Sequence, residues 1–193
     1  MLMLNQLVGF GVSGSPLDAM LYNPARVGPS ISLSDGGATA TSTGPSLAQY
    51  DRAFTYKLVS GSVYVEMVAT TVSGGQCDFS LIDDSGPAPT TSATTRPGDG
   101  EPGFTWRSQG DGFSCTTPGA FASGDVLRAK LVTSSATVAL ALNGGAFAAD
   151  ATWAAGSTWR VMSAWFQGSS GAFSIPAAPS YGVPAGFTWV GDL

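Results

Sequence analysis

Apolar and polar residues alternate over short stretches along most of this chain, with a period of two rather than 3.6. In "VLRAKLV", residues 126 to 132, Leu127, Ala129 and Leu131 alternate with Arg128 and Lys130. After a Thr133-Ser134-Ser135 turn, Ala136, Val138, Leu140 and Leu142 alternate with Thr137, Ala139, Ala141 and Asn143, and Asn143-Gly144-Gly145 closes the run. This reads as a hairpin whose apolar faces go to a core while Arg128 and Lys130 face water. "AFTYKLVSGSVYVEMVAT" predicts two more strands around Ser60-Gly61, with Val63, Val65, Met67 and Ala69 on one face and Tyr64, Glu66 and Val68 on the other. "ISLS" and "ATATST" flank Asp35-Gly36-Gly37 as a further hairpin. "CDFSLID", "FTWRSQGDGFSCTT", "STWRVMSAWFQ" and "SGAFSIPA" add more strands. About ten to twelve short strands at hairpin spacing predict an all-β fold, a two-sheet antiparallel β-sandwich or jelly roll.

Two stretches depart from this pattern. Residues 1 to 26 begin with the apolar "MLMLNQLVGFGVSG" and show neither alternation nor a helical period. They read either as a first strand or as an irregular N-terminal arm that buries Leu4, Leu7, Val8 and Phe10 against a neighbouring subunit. With no positive n-region, and with Asn5 and Gln6 interrupting the apolar run, the start is not read as a signal peptide. Residues 84 to 103, "DSGPAPTTSATTRPGDGEPG", form a long Pro-, Gly- and Thr-rich connection with little to bury. The expected organisation is an arm or first strand over 1–26, one sandwich over 27–176, and a tail over 177–193 that packs on the sandwich or on a neighbour. Phe187 and Trp189 in that tail are candidate assembly contacts, with the four arm residues.

Composition sharpens this. Of 193 residues, 44% are hydrophobic and only 11% charged, with 26 Gly and 12 Pro, which suits short strands and tight turns. The net charge of −5 with scattered basic residues excludes a phosphate-neutralising surface, so no nucleic-acid partner is expected. No stretch approaches the ~20 apolar residues of a spanning helix, so no membrane insertion is expected. Cys77 and Cys115 lie in strand-like settings and are either a cross-strand disulfide or two buried thiols.

The chain has no histidine, which removes Ser-His-Asp and Cys-His catalysis and His-ligated zinc. Glu occurs only at Glu66, on an alternating strand where a solvated face is expected, and at Glu101, in the long loop. A two-carboxylate glycosidase is therefore disfavoured. Asp83 and Asp84, with Asp99 and Glu101, read either as Ca²⁺ ligands or, preferably, as solvated turn carboxylates. No cofactor is expected. Trp159 and Trp165, six apart on one strand, belong to the core, whereas Trp106 and Trp153 flank loops. Trp106, Arg107, Asp111 and Trp153 are accordingly the candidate ligand or partner contacts, with aromatic faces suited to stacking on a sugar ring.

Four stretches carry a family resemblance: "LSDGGATATSTG" (33–44), "VSGSVYVEMVAT" (59–70), "FASGDVLRAKLVTSSATVALALNGGAF" (121–147) and "WRVMSAWFQGSSGAFSI" (159–175). In order and character they resemble the SPRY domain, a bent two-sheet sandwich related to the concanavalin-like lectins. The likeness covers about residues 27 to 176, and the Pro/Thr loop replaces the family's aromatic-rich segment after "CDFSLID". The Ala/Gly/Thr-rich style, the "LVGFG" start and the "PAGFTW" finish look like tailed-phage virion proteins. That resemblance implies a non-enzymatic virion protein, such as a tail fibre, a spike or a capsid-attached module. Its implied partners are other virion proteins, further copies of itself in a homo-oligomer, and a host-surface glycan. A carbohydrate-binding lectin module using loop aromatics is the alternative.

Overall fold

The computed structural model describes residues 20–45, 49–56, 59–84, 90–94, 97, 103–153 and 159–193. Leu4, Leu7, Val8 and Phe10, and likewise Asp99 and Glu101, lie outside them. The strands are β1 (Tyr22–Val27), β2 (Ile31–Ser34), β3 (Thr39–Ser42), β4 (Tyr50–Thr55), β5 (Ser62–Ser73), β6 (Cys77–Asp83) and β7 (Ser92–Ala93). They continue as β8 (Gly103–Arg107), β9 (Gly112–Phe113), β10 (Val126–Val132), β11 (Thr137–Leu142), β12 (Ala151–Thr152), β13 (Trp159–Phe166), β14 (Ser170–Ser174) and β15 (Thr188–Trp189).

These strands form two sheets. The first runs β1-β4-β13-β6-β8-β9, with β7 also on β4; the second runs β12-β11-β10-β5-β14-β3-β2, with β15 also on β5. All pairings are antiparallel except β15 on β5, where Trp189 lies beside Tyr64. The fold is therefore the all-β two-sheet sandwich that the alternation predicts. The β10–β11 hairpin keeps continuous register from Leu127↔Leu142 to Val132↔Thr137. Its distal turn places Ala136 at φ +46° and Asn143 sits at φ +50°. In β14, Gly171 is required: at φ +150°, a Cβ there would meet the Thr71 carbonyl oxygen at 2.2 Å.

Between the sheets lies an apolar core in which Val63, Val65 and Met67 of β5 meet Phe79, Leu81 and Trp165 of the opposite sheet. Aromatic rings run through it in sequence: Trp106 edge-on to Phe121 at 5.5 Å, Phe121 to Phe173 at 6.1 Å, and Phe173 to Trp165 at 5.5 Å. Trp159 stacks on Phe104 at 5.5 Å. Within the first sheet's inner face the Tyr22 hydroxyl lies 2.6 Å from Ser163 Oγ, and Ser163 Oγ reaches across to Met67 Sδ of the second sheet at 3.2 Å. Burial pushes the Tyr22 hydroxyl pKa upward against the opposing effect of its bond to Ser163.

Both outer faces are also partly covered, which alternation alone does not reveal. On the first sheet a second cluster of Tyr50, Phe54, Ile82, Met162 and Ala164 is buried on the side away from the core. Described residues of the Pro/Thr connection meet this side: the Thr90 carbonyl accepts from the Arg52 guanidinium at 3.4 Å, and Pro97 accepts from Thr105 Oγ1 at 3.1 Å. The expectation that residues 84–103 have little to bury is corrected at these positions, because Arg52 and Thr105 are both fully buried.

Candidate functional site

The second sheet's outer face carries a cluster of charged and aromatic side chains. Register places Arg128 of β10 directly across from Glu66 of β5, and Lys130 across from Tyr64. Period two puts all four on the face opposite Val65 and Met67. The chain after β14 comes back across them. Glu66 Oε1 accepts from the Tyr64 hydroxyl at 2.6 Å and from Tyr181 N at 2.9 Å, and Oε2 accepts from Ser180 N at 2.6 Å. Arg128 donates to the Gly145 carbonyl and lies over the rings of Phe147, at 5.0 Å, and Tyr181, at 4.8 Å. Lys130 Nζ sits 4.6 Å from the Phe147 centroid and 5.6 Å from that of Phe187. Tyr64 also contacts Trp189 at 6.0 Å. Its hydroxyl pKa is raised, first by burial and then by its bond to the Glu66 carboxylate.

Three expectations are corrected here. Glu66 is fully buried rather than solvated, Arg128 is buried rather than facing water, and Lys130 is half-buried against rings. The cause is the covering C-terminal segment, whose backbone amides supply the buried carboxylate with the donors it requires. Trp189, expected as an assembly contact, is 3% exposed and packs within its own chain, so it presents no surface to a neighbour. Phe187 is half-buried against the same cluster.

The other predicted contacts divide. Trp106 faces inward from β8, is fully buried, and donates its Nε1–H to the Gly119 carbonyl at 2.8 Å. Its indole is thus a core group and not a ligand platform, because β8 directs Trp106 and Phe104 to the same, inner side. Arg107 points the other way but is also buried, held by Asp111 at 2.5 Å across the β8–β9 turn. The Asp111 side chain remains 54% exposed. Trp153, after β12, is half-buried and meets Phe113 of β9 at 6.2 Å, so it joins the edges of the two sheets. Of the predicted group Asp111 and Trp153 stay accessible, and Phe113, which pairs with Trp153, is a residue that sequence reasoning missed.

The remaining reactive groups are committed to structure. Cys77 and Cys115 are free thiols, so the disulfide reading is overturned. Cys77 points to the Ser170 carbonyl of the opposite sheet, while Cys115 donates to the Thr105 carbonyl at 3.2 Å. Burial pushes the Cys77 thiol up to about 12 and that of Cys115 up to about 11, so neither is a thiolate nucleophile near neutrality. Asp84 is ion-paired to Arg26 at 3.2 Å and to Arg160 at 2.5 Å, which replaces both the Ca²⁺ and the solvated-turn readings at that position. Arg52, Ala164, Asp78 and Arg107 occupy one cross-strand row on the first sheet's outer face. Among the described residues no group of three His, Cys, Asp or Glu side chains is disposed to hold a metal ion.

This two-sheet arrangement shares its fold with solved structures. The SPRY domain of human HERC1 superposes with a TM-score of 0.57 at 12% identity, covering 80% of this chain and 96% of that one. The fold is SPRY-like. The NHR1 domain of Drosophila melanogaster Neuralized shares this fold at a TM-score of 0.53 and 12% identity, over 83% of this chain and 99% of that domain. The PSpry domain of TRIM65 does so at 0.50 and 13%, over 82% and 92%. At these identities the SPRY likeness speaks to the fold alone. No family model and no curated protein matches the sequence.

Proposed function

We propose that this SPRY-like chain is a non-enzymatic structural protein of a tailed-phage virion, a tail-fibre, spike or capsid-attached module. It acts through protein–protein assembly with other virion proteins and with copies of itself, and it meets the host surface. The observation that carries the non-enzymatic part is the fate of the buried carboxylates. Glu66 holds the C-terminal segment, Asp84 holds two arginines, and Asp51 accepts from Ser30 N and Ser92 Oγ, each at 2.9 Å. These three buried carboxylates are engaged in holding segments and arginines of the fold instead of standing free as acid, base or nucleophile. What remains for function is shape: half-exposed aromatic rings, sheet edges and a surface rich in Ser, Thr, Gly and Ala. The phage assignment is supported by the resemblance of the chain's style and of its two ends to virion proteins. Mass spectrometry and high-resolution imaging of purified particles test it: the chain is expected at stoichiometric copy number, and its absence from the particle overturns the proposal.

One observation favours a second reading, a glycan-binding lectin module. Trp153 and Phe113 form a half-buried aromatic pair, and such a pair offers an apolar face to a sugar ring. Glycan-array binding lost on Trp153→Ala, with folding retained, would establish that reading.

A further inference from the structure

The sandwich has four lateral edges among the described residues, and three are guarded against further pairing. β1 carries Pro24 and Arg26 and breaks register between Tyr22 and Val27. β9 and β12 are two residues long. Proline, charge, bulges and shortness are the usual means of blunting an edge. β2 has none of them: "ISLS" is uncharged, free of proline and in unbroken register with β3 from Ile31↔Ser42 to Ser34↔Thr39. Thr43 N donates to Ser30 O at 3.1 Å, so antiparallel alternation turns the Ser30 carbonyl and the backbone groups of Ser32 and Ser34 toward β3, while the Ser30 N–H donates to Asp51 Oδ2 at 2.9 Å. Those of Ile31 and Leu33 point the other way. Ile31 N is taken by the Gly28 carbonyl at 3.1 Å. The Leu33 N–H and C=O and the Ile31 C=O therefore line an open edge, at the end of the second sheet.

The geometry points to β2 as a self-pairing edge: two copies of this chain join β2 to β2 about a two-fold axis at Ser32, antiparallel, fusing their second sheets into one. This rests on the self-assembly in the proposed function and names the contact that carries it. Opposed residues in an antiparallel pair share a face, so a two-fold must pass through a residue rather than between two residues. Placing it at Ser32 sets Ile31 of one copy against Leu33 of the other, twice, and lets each Leu33 N–H donate to the facing Ile31 carbonyl. On that face an apolar cleft of about 230 Å³, lined by Leu21, Tyr22, Pro24, Leu33 and Tyr56, opens beside Leu33 and takes the facing Ile31. The two Asp35 side chains lie six positions apart along the joined strands, roughly 20 Å at ~3.3 Å per residue and beyond the ~8 Å screening length at physiological salt. The closer acidic pair is the facing Asp35, opposite Pro29, and the buried Asp51, which accepts from Ser30 N at 2.9 Å, so the pairing is expected to tighten as salt rises.

Analytical ultracentrifugation of the full chain over a concentration series, with Leu33→Pro, Ser32→Lys and deletion of residues 1–19, tests this pairing. Leu33→Pro removes a donor that no described residue uses but also trims apolar packing on the core, so a lowered melting temperature with an unchanged circular dichroism spectrum is expected, whereas Ser32→Lys, at an exposed position, is expected to leave both unchanged. The wild type and the deletion are expected to sediment as dimers and both point variants as monomers. Oxidised Ser32→Cys should give a covalent dimer that the wild type, with only Cys77 and Cys115, does not give. A monomeric wild type, dimers persisting in both point variants, or dissociation only on deleting residues 1–19 would overturn the pairing. Dimerisation through β2 in a chain absent from the particle would instead overturn the virion assignment and leave the pairing intact.

Discussion

Trp106 illustrates how side-chain direction decides a role. On β8 it shares the inner face with Phe104, and the ring string from Trp106 through Phe121 and Phe173 to Trp165 passes through the core. Trp106→Ala is expected to destabilise the fold by about 3–5 kcal/mol, the usual cost of deleting a buried aromatic. Chemical denaturation measures this, and glycan affinity per molecule folded is expected to be unchanged. The buried thiols make a second prediction. Cys77 has its folded pKa raised from the ordinary 9.0 to about 12, so the folded state holds a proton that the unfolded state loses between those values. Its contribution is complete below pH 9 and is lost as pH rises toward 12. Melting temperature should accordingly fall above pH 9, and Cys77→Ala should flatten that fall while lowering stability at neutral pH. A steeper fall in the variant would contradict the assignment. Tyr22 and Tyr64 act in the same direction at higher pH.

At the scale of elements, two devices organise the second sheet. The β10–β11 hairpin is clasped at its open end by Asn143: its Oδ1 accepts from Val126 N at 2.8 Å, and its Nδ2 donates to Asp125 Oδ1 at 2.8 Å. Asn143 also adopts φ +50°, which asparagine tolerates better than most residues. Asn143→Ala should cost about 1–3 kcal/mol through the orphaned Val126 amide and the strained backbone. Asn143→Gly relieves the second term, so it should cost less in the same denaturation assay. The C-terminal segment is the other device. Glu66→Gln replaces an acceptor for two amides with a group that can satisfy only one of them. Hydrogen exchange at Ser180 and Tyr181 should quicken, with a stability loss of about 1–3 kcal/mol. If exchange there is unchanged, the carboxylate does not hold the segment.

For the molecule as a whole, the sandwich buries three apolar layers rather than one: the interior and a partial layer on each outer face. That arrangement explains why the alternation in β5 is legible while the fate of Glu66 is not. Period two separates the two faces of a strand, and Val63, Val65 and Met67 fall on one side in sequence and in space. Nothing local shows whether the second face meets water or a returning segment over a hundred residues away, such as Ser180 and Tyr181. The same limit applies to Arg107, whose partner Asp111 is near in sequence but whose burial depends on the sheet around it. A signal for the covered face was present in the apolar tail, since Phe187 and Trp189 need burial somewhere, and the nearest sheet face supplies it. By itself the sequence determined the all-β class, the hairpins and the inner core, because these follow from turn residues and period-two patterning that act over a few residues. Only the tertiary structure decided which charges are buried, which aromatics remain reachable and which edge stays open, because each depends on long-range coverage set by the packing of whole strands and loops.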